Sequence, residues 1–201
     1  MKIAGLIFLW AALAVGGMGI LLEYKQTPGA AAEAPSTWPM ESVVPLDPQR
    51  PTLVMMIHPR CPCSRASVSE LGRLLTRVGA RLNTHVLVVL PENGELNEDN
   101  SELADSARKI PGVTVKPDPG GHESRRFGAF TSGQTQVFSP KGVLLFSGGV
   151  TPSRGHHGDN RGSAEIERIA LATSVEGDVL RVSKVYGCDL NDPKPDQEET
   201  R

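Results

Sequence analysis

The residues in this 201-residue chain with the most chemistry to offer are Cys61 and Cys63, separated by Pro62. Two thiols this close can exchange with a disulfide or hold a soft metal ion. They stand where a short apolar run, Thr52–His58 (TLVMMIH), gives way to the stretch Ser64–Val78. The run has the pattern of a strand buried on both faces. In the stretch after it, Val68, Leu71, Leu74, Leu75 and Val78 recur at helical spacing on one face. A thiolate at such a helix start faces unpaired N–H groups and the positive end of the helix dipole, which favour the anion. Arg60 and Arg65 are expected to add positive charge there, and Pro62 fits the first helical position, where a missing N–H costs nothing. Cys61, read as the more exposed thiol, is expected to attack a substrate disulfide as thiolate, and Cys63 to resolve the mixed disulfide. The two can bond to each other only where the backbone is not yet helical, because positions i and i+2 point about 200° apart on a helix. A ring that small departs from relaxed disulfide geometry and is easily reduced.

Three further features bear on this pair. His58, just ahead of it, is placed to tune the thiols or simply to be satisfied at the strand end. Cys188, in Val-Tyr-Gly-Cys, is a possible third thiol, whether as redox partner, metal ligand or unpaired cysteine. The segment Gly148–Gly162 (GGVTPSRGHHGDNRG) has five glycines and no hydrophobic periodicity. A loop of that length inside a domain is commonly functional or a solvated insertion; it carries Arg154, His156, His157, Asp159 and Arg161. If His156 reaches the cysteines, Cys61, Cys63 and His156 form a donor set of thiolates and imidazole that suits copper(I). Redox exchange, by contrast, needs no cofactor.

The elements that must position these residues follow in order. Thr84–Leu90 (THVLVVL) predicts a second buried strand, and Asn97–Ile110 a weaker helix ended by Pro111–Gly112. Val113–Lys116 reads as a short strand and His122–Phe130 as a short helix. Gln134–Ser139 and Val143–Phe146 flank Pro140–Lys141–Gly142, which suits a hairpin turn. Ser163–Thr173 closes the domain as an amphipathic helix. Strands alternating with helices, then a hairpin and a last helix, give an α/β domain with a mixed sheet.

At the other end, residues 3–22 carry no charge. As a helix rising 1.5 Å per residue they span about 30 Å, the thickness of a bilayer's hydrocarbon core. They are read as an uncleaved transmembrane anchor, with Trp10 and Tyr24 available at its interfaces. The competing reading is a signal peptide cut near Ala30–Ala34. Lys2, offset in part by Lys25, favours a cytoplasmic N-terminus. Residues 23–50, with five prolines, read as an extended linker holding the domain away from the membrane. Residues 51–188 form the folded domain, and the polar residues 189–201 a disordered tail.

The composition narrows the function. With 21 Lys+Arg against 23 Asp+Glu there is no broad basic face, so nucleic acid is not an expected partner. Three cysteines are too few for a disulfide-stapled mini-fold. No phosphate-binding Walker loop, His-Glu-x-x-His or Gly-x-Ser-x-Gly occurs, which leaves nucleotide, zinc-protease and serine-hydrolase chemistry without support.

The segments His58–Ser67 (HPRCPCSRAS) and Val137–Phe146 (VFSPKGVLLF), in this order of elements, resemble the thioredoxin-like superfamily, and within it the membrane-anchored bacterial proteins called RedB-like. The pattern Gly148, Gly149, Thr151, Arg154, Gly155 and His156 resembles a segment of the same RedB-like proteins. The resemblance covers roughly residues 51–173. It implies a thioredoxin fold and a thiol–disulfide oxidoreductase acting on protein thiols or disulfides. It also implies a single-pass protein of the bacterial inner membrane with its domain on the periplasmic side. Two departures stand out. Thioredoxins carry Cys-x-x-Cys, and aligning Pro62–Cys63 with that motif puts Arg60 where the attacking cysteine belongs. Gly133 stands where the superfamily has a cis-proline lying against the disulfide and helping to hold substrate. A looser resemblance, to the Sco-type copper proteins, implies the copper(I) alternative built on Cys61, Cys63 and His156.

Overall fold

The structure, a computed structural model, describes residues 2–97, 102–172 and 179–190. An apolar helix, α1 (Lys2–Gln26), leads the chain, and none of its stretch Gly5–Gln26, of mean hydropathy 2.2, is buried. It is long and apolar enough to cross a membrane, and a signal sequence would have the same character.

The domain begins with β1 (Thr52–Ile57), all six residues of which are buried. The helix α2 (Pro62–Val78) follows with Pro62 in its first turn, and ends at Gly79, whose N–H returns to the Leu75 carbonyl. After it come β2 (Asn83–Leu90), α3 (Glu102–Arg108), β3 (Val113–Pro119), α4 (His122–Arg126), β4 (Gln134–Phe138), β5 (Leu144–Gly148), α5 (Arg161–Leu171) and a two-residue strand, β6 (Arg181–Val182). The sheet order is β3-β2-β1-β4-β5-β6. β1 runs parallel to β2 and antiparallel to β4, and β4 and β5 form the expected hairpin. This is the expected α/β architecture, a thioredoxin-like mixed sheet flanked by helices and preceded by one apolar helix.

The alternation of β1 explains both layers. Leu53, Met55 and Ile57 face a core shared with Leu71 and Leu74 of α2, Leu103 of α3 and Ile166 of α5. Val54 and Met56 face the opposite way, into a cluster with Leu87, Val89, Phe127 and Phe138. With both faces covered, the central strand is apolar throughout and holds its register, so its C-terminal end delivers Cys61 to a fixed place.

Several boundaries move. The weak helix expected from Asn97 to Ile110 is α3, Glu102–Arg108, and part of the expected range lies outside the described residues. The strand expected at Val113–Lys116 runs on to Pro119 beside β2. The helix expected to reach Phe130 stops at Arg126, with the Phe127 N–H closing on the Glu123 carbonyl. The last helix starts earlier, because Asn160 caps it by accepting from the Ser163 N–H at 2.8 Å. Its expected end, Thr173, and most of the tail lie outside the described residues.

The proline-rich stretch is not a free spacer. After α1 it lies along the domain as a strap: the N–H groups of Gly29, Glu33 and Trp38 donate to the carbonyls of Val185, Gly128 and Gly142 at 2.7–2.9 Å. Trp38 stands edge-on to Phe127 and Phe138, with ring centroids 5.2 and 5.1 Å away, and Val44 is buried in the same cluster. The prolines give it an extended backbone, and the apolar residues between them give it something to bury.

Candidate functional site

Cys61 precedes α2 in an extended conformation, its N–H donating to the His58 carbonyl and its own carbonyl accepting from the Ser64 N–H, both at 3.1 Å. Cys63 lies inside the first turn. Contrary to the expectation that Cys61 is the more exposed thiol, it is 3% exposed and Cys63 8%. What covers it is the segment 188–190. Residues 188–190 run antiparallel to 130–132: Ser132 N–H donates to the Cys188 carbonyl at 2.8 Å, Leu190 N–H to the Phe130 carbonyl at 2.9 Å, and Thr131 bridges Asp189. Leu190 is buried in the Phe127–Phe138 cluster and pins the segment.

This path brings Cys188, the possible third thiol, into the site. Cys61 Sγ and Cys188 Sγ share a hydrogen bond at 2.9 Å, and the three sulfurs all lie within 4.8 Å of one another. Among the described residues no histidine or carboxylate joins that group. His156, the expected loop ligand, is exposed, its Nδ1 2.7 Å from the Arg154 carbonyl.

The surroundings divide the thiols by acidity. Burial by itself would raise Cys61, but the hydrogen bond with Cys188, then the Ser64 hydroxyl and the backbone N–H groups of Cys188 and Ser64, outweigh it and leave its thiol lowered. Cys63 is raised, by burial and then by the Cys61 charge. Burial first, then the hydrogen bond and charge of Cys61, push Cys188 up to about 12. The site thus favours one thiolate, on Cys61, with two protonated neighbours.

The cation beside the thiols is not one of those expected. Arg65 is turned away into an exposed pair with Glu102, at 2.7 Å between Nη2 and Oε2. Arg60 is exposed, and its backbone N–H donates to His58 Nδ1 at 3.3 Å. Arg154 takes the place instead. Its charge favours the thiolates of Cys63 and Cys188, and its Nη1 donates to the Gly187 carbonyl at 2.6 Å. Of the loop residues it is thus Arg154, and not His156, whose charge reaches the thiols. Sequence reasoning placed Arg154 in the loop segment but gave the role to His156.

Ser132 is the other residue the sequence did not signal. Its hydroxyl accepts the His58 N–H at 2.7 Å and lies 2.6 Å from the buried Ser64 hydroxyl, tying the end of β1 to α2 and to the loop before β4. The backbone N–H of His58 is therefore satisfied at the strand end. Gly133, next in that loop, donates its N–H to the Met56 carbonyl at 2.7 Å and has φ +91, and a Cβ there would meet Ser67 Oγ at 2.7 Å. The loop comes this close to α2 only because residue 133 has no side chain. A cavity of about 650 Å³, lined by residues such as Pro28, Gly148, Asn160 and Tyr186, lies beside β5, and none of the three cysteines lines it.

No protein-family model matches the chain, and no curated protein does. Among solved structures, an uncharacterised conserved protein from Geobacillus kaustophilus superposes with a TM-score of 0.58 at 15% identity, over 84% of this chain and 93% of that one. A hypothetical protein from Sinorhizobium meliloti gives 0.54 at 14% identity, over 82% and 93%. A secreted disulfide oxidoreductase from Mycobacterium tuberculosis gives 0.42 at 12% identity, over 62% and 82%. At these identities the likeness is one of fold; the three thiols at the end of β1 are described by this chain's own geometry.

Proposed function

We propose that the chain is a thiol–disulfide oxidoreductase whose reacting sulfur is Cys61 and whose internal partner is Cys188. The observation that carries this is the contact of the two sulfurs at 2.9 Å, with Cys61 the one thiol of the three held below its ordinary value. The Cys61 thiolate attacks a substrate disulfide; one substrate sulfur leaves as thiolate and the other stays bonded to Cys61. Cys188 then attacks Cys61 Sγ and expels the second substrate sulfur. The substrate has gained two electrons, and Cys61–Cys188 is oxidised until an external dithiol reduces it. Two of the four causes that raise Cys188 are the hydrogen bond and charge of Cys61, and both vanish once Cys61 is bonded to substrate. The resolving thiol is therefore released when it is needed. Cys63, expected from its spacing to resolve, remains within 4.8 Å as the third thiol.

Protein thiols or disulfides are the substrates that this chemistry serves. The reading includes α1 as a single-pass anchor in a bacterial inner membrane, of the RedB-like kind, with the domain on the periplasmic side, where thiol exchange has work to do. Its support is the apolar length of α1. Arg154 links the end of that helix to the site: its N–H donates to the Lys25 carbonyl and its Nε to the Thr27 carbonyl, each at 3.1 Å, and its guanidinium lies 5.0 Å from the Tyr24 ring centroid. In this reading the thiols work close to the membrane surface.

The test is reduction of a small aromatic disulfide by the reduced full-length chain in detergent. Cys61→Ser should remove the activity, and Cys188→Ser should leave a mixed disulfide that accumulates instead of turning over. A Cys61→Ser variant as active as the unaltered chain would refute the assignment.

A further inference from the structure

A two-thiol relay does not need a third sulfur, yet three are gathered here. We propose that the fully reduced chain binds one copper(I) ion through Cys61, Cys63 and Cys188. A metal–thiolate bond of about 2.3 Å places three sulfurs about 4 Å apart around a trigonal ion. The observed separations, 2.9 Å between Cys61 and Cys188 and none above 4.8 Å, bracket that spacing, so small side-chain rotations would complete it.

The donor set selects the ion. Three thiolates with no histidine or carboxylate beside them among the described residues suit a soft monovalent ion content with low coordination, whereas zinc takes four donors. Two donors sit at the rigid start of α2, and the third is on a segment fixed by backbone hydrogen bonds to residues 130 and 132. Three thiolates and one copper(I) carry a net charge of −2. Arg154, hydrogen-bonded to the Gly187 carbonyl, lies beside them to offset part of it. Burial of Cys61 and Cys63 keeps water and oxidants from the ion. The geometry also replaces the imidazole expected from His156 with a thiolate.

Binding releases the protons that the thiols still hold, those of Cys63 and Cys188 when Cys61 is already a thiolate, and moves no electrons, but it needs every sulfur reduced. A Cys61–Cys188 disulfide leaves one thiol and no site, so metal binding and the oxidised state exclude each other. The inference stands apart from the exchange reading, because a chain that exchanges disulfides without holding copper would sink only this site.

The experiment is anaerobic titration of the reduced full-length chain, in detergent, with copper(I) against a colorimetric copper(I) chelator, followed by thiol alkylation. One ion per chain should be retained, with all three cysteines protected from alkylation, and the oxidised chain should retain none. Cys188→Ser should weaken retention by about a hundredfold or more, as one of three soft donors is lost, while His156→Ala should leave it unchanged. Alkylation of the unaltered chain reads the ligands directly, so the result does not depend on the variant folding. Loss of copper to the chelator, protection of only two thiols, dependence on His156, or retention of zinc in preference to copper would each overturn the proposal.

Discussion

Cys61 is deeply buried and still the most acidic of the three thiols, and the two facts have one source. The segment that covers it also supplies the Cys188 thiol and backbone N–H that stabilise its anion. Alkylation of Cys61 should therefore inflect below the ordinary thiol value: reactivity persists at pH values where a free thiol is protonated, and is lost as pH falls through the lowered value. Cys188→Ala, which removes the leading stabilising bond, should move the inflection upward. Ser64→Ala should move it the same way by less. The check is the pH profile of a cysteine-selective probe read by peptide mass spectrometry, and a profile unmoved by Cys188→Ala would contradict the account. The types and spacing of Cys61, Pro62 and Cys63 were enough to place a thiolate at a helix start. The residues that tune it, Ser64, Cys188 and Arg154, reach it through backbone pairing and a loop, which periodicity does not encode.

The decisive element is the strand-like run 188–190 along 130–132. Gly187 leads into it, and a Cβ there would run into the Ser132 carbonyl, so the close approach needs a residue without a side chain. Gly187→Ala should loosen the segment while leaving the central sheet intact. Cys61 alkylation at fixed pH should rise by roughly tenfold as the local opening free energy drops by about 1.4 kcal/mol. Unchanged alkylation in a folded variant would show that the segment is not what limits access. The strands β1, β2, β4 and β5 were legible because unbroken apolar runs and the Pro-Lys-Gly turn carry their own signal. β6 and the Cys188 segment were not: a two-residue strand and a single extended run have no period to detect, and their backbone hydrogen bonds favour no side-chain type.

Across the whole molecule, residues 27–46 bind the apolar helix α1 to the domain instead of separating them. Five prolines suggested a spacer; what that reading missed is that Trp38 and Val44 between them have apolar partners in Phe127 and Phe138. Trp38→Ala should cost about 2–3 kcal/mol, somewhat less than a fully buried aromatic. The unfolding midpoint in urea should fall accordingly, and an unchanged midpoint would mean that the strap contributes nothing to the fold. The strap also ends beside the thiols, where the Gly29 N–H donates to the Val185 carbonyl and Thr131 Oγ1 to the Ala30 carbonyl, so α1, strap and site are one mechanical unit.

The pairing of Cys61 with Cys188 is the claim on which the rest depends, and disulfide mapping tests it most directly. The full-length chain, oxidised in detergent with one equivalent of a small disulfide and then alkylated and digested, should yield a peptide linking Cys61 to Cys188, with Cys63 recovered as the alkylated free thiol. Recovery of a Cys61–Cys63 bond with Cys188 free, or of all three cysteines alkylated, would contradict it.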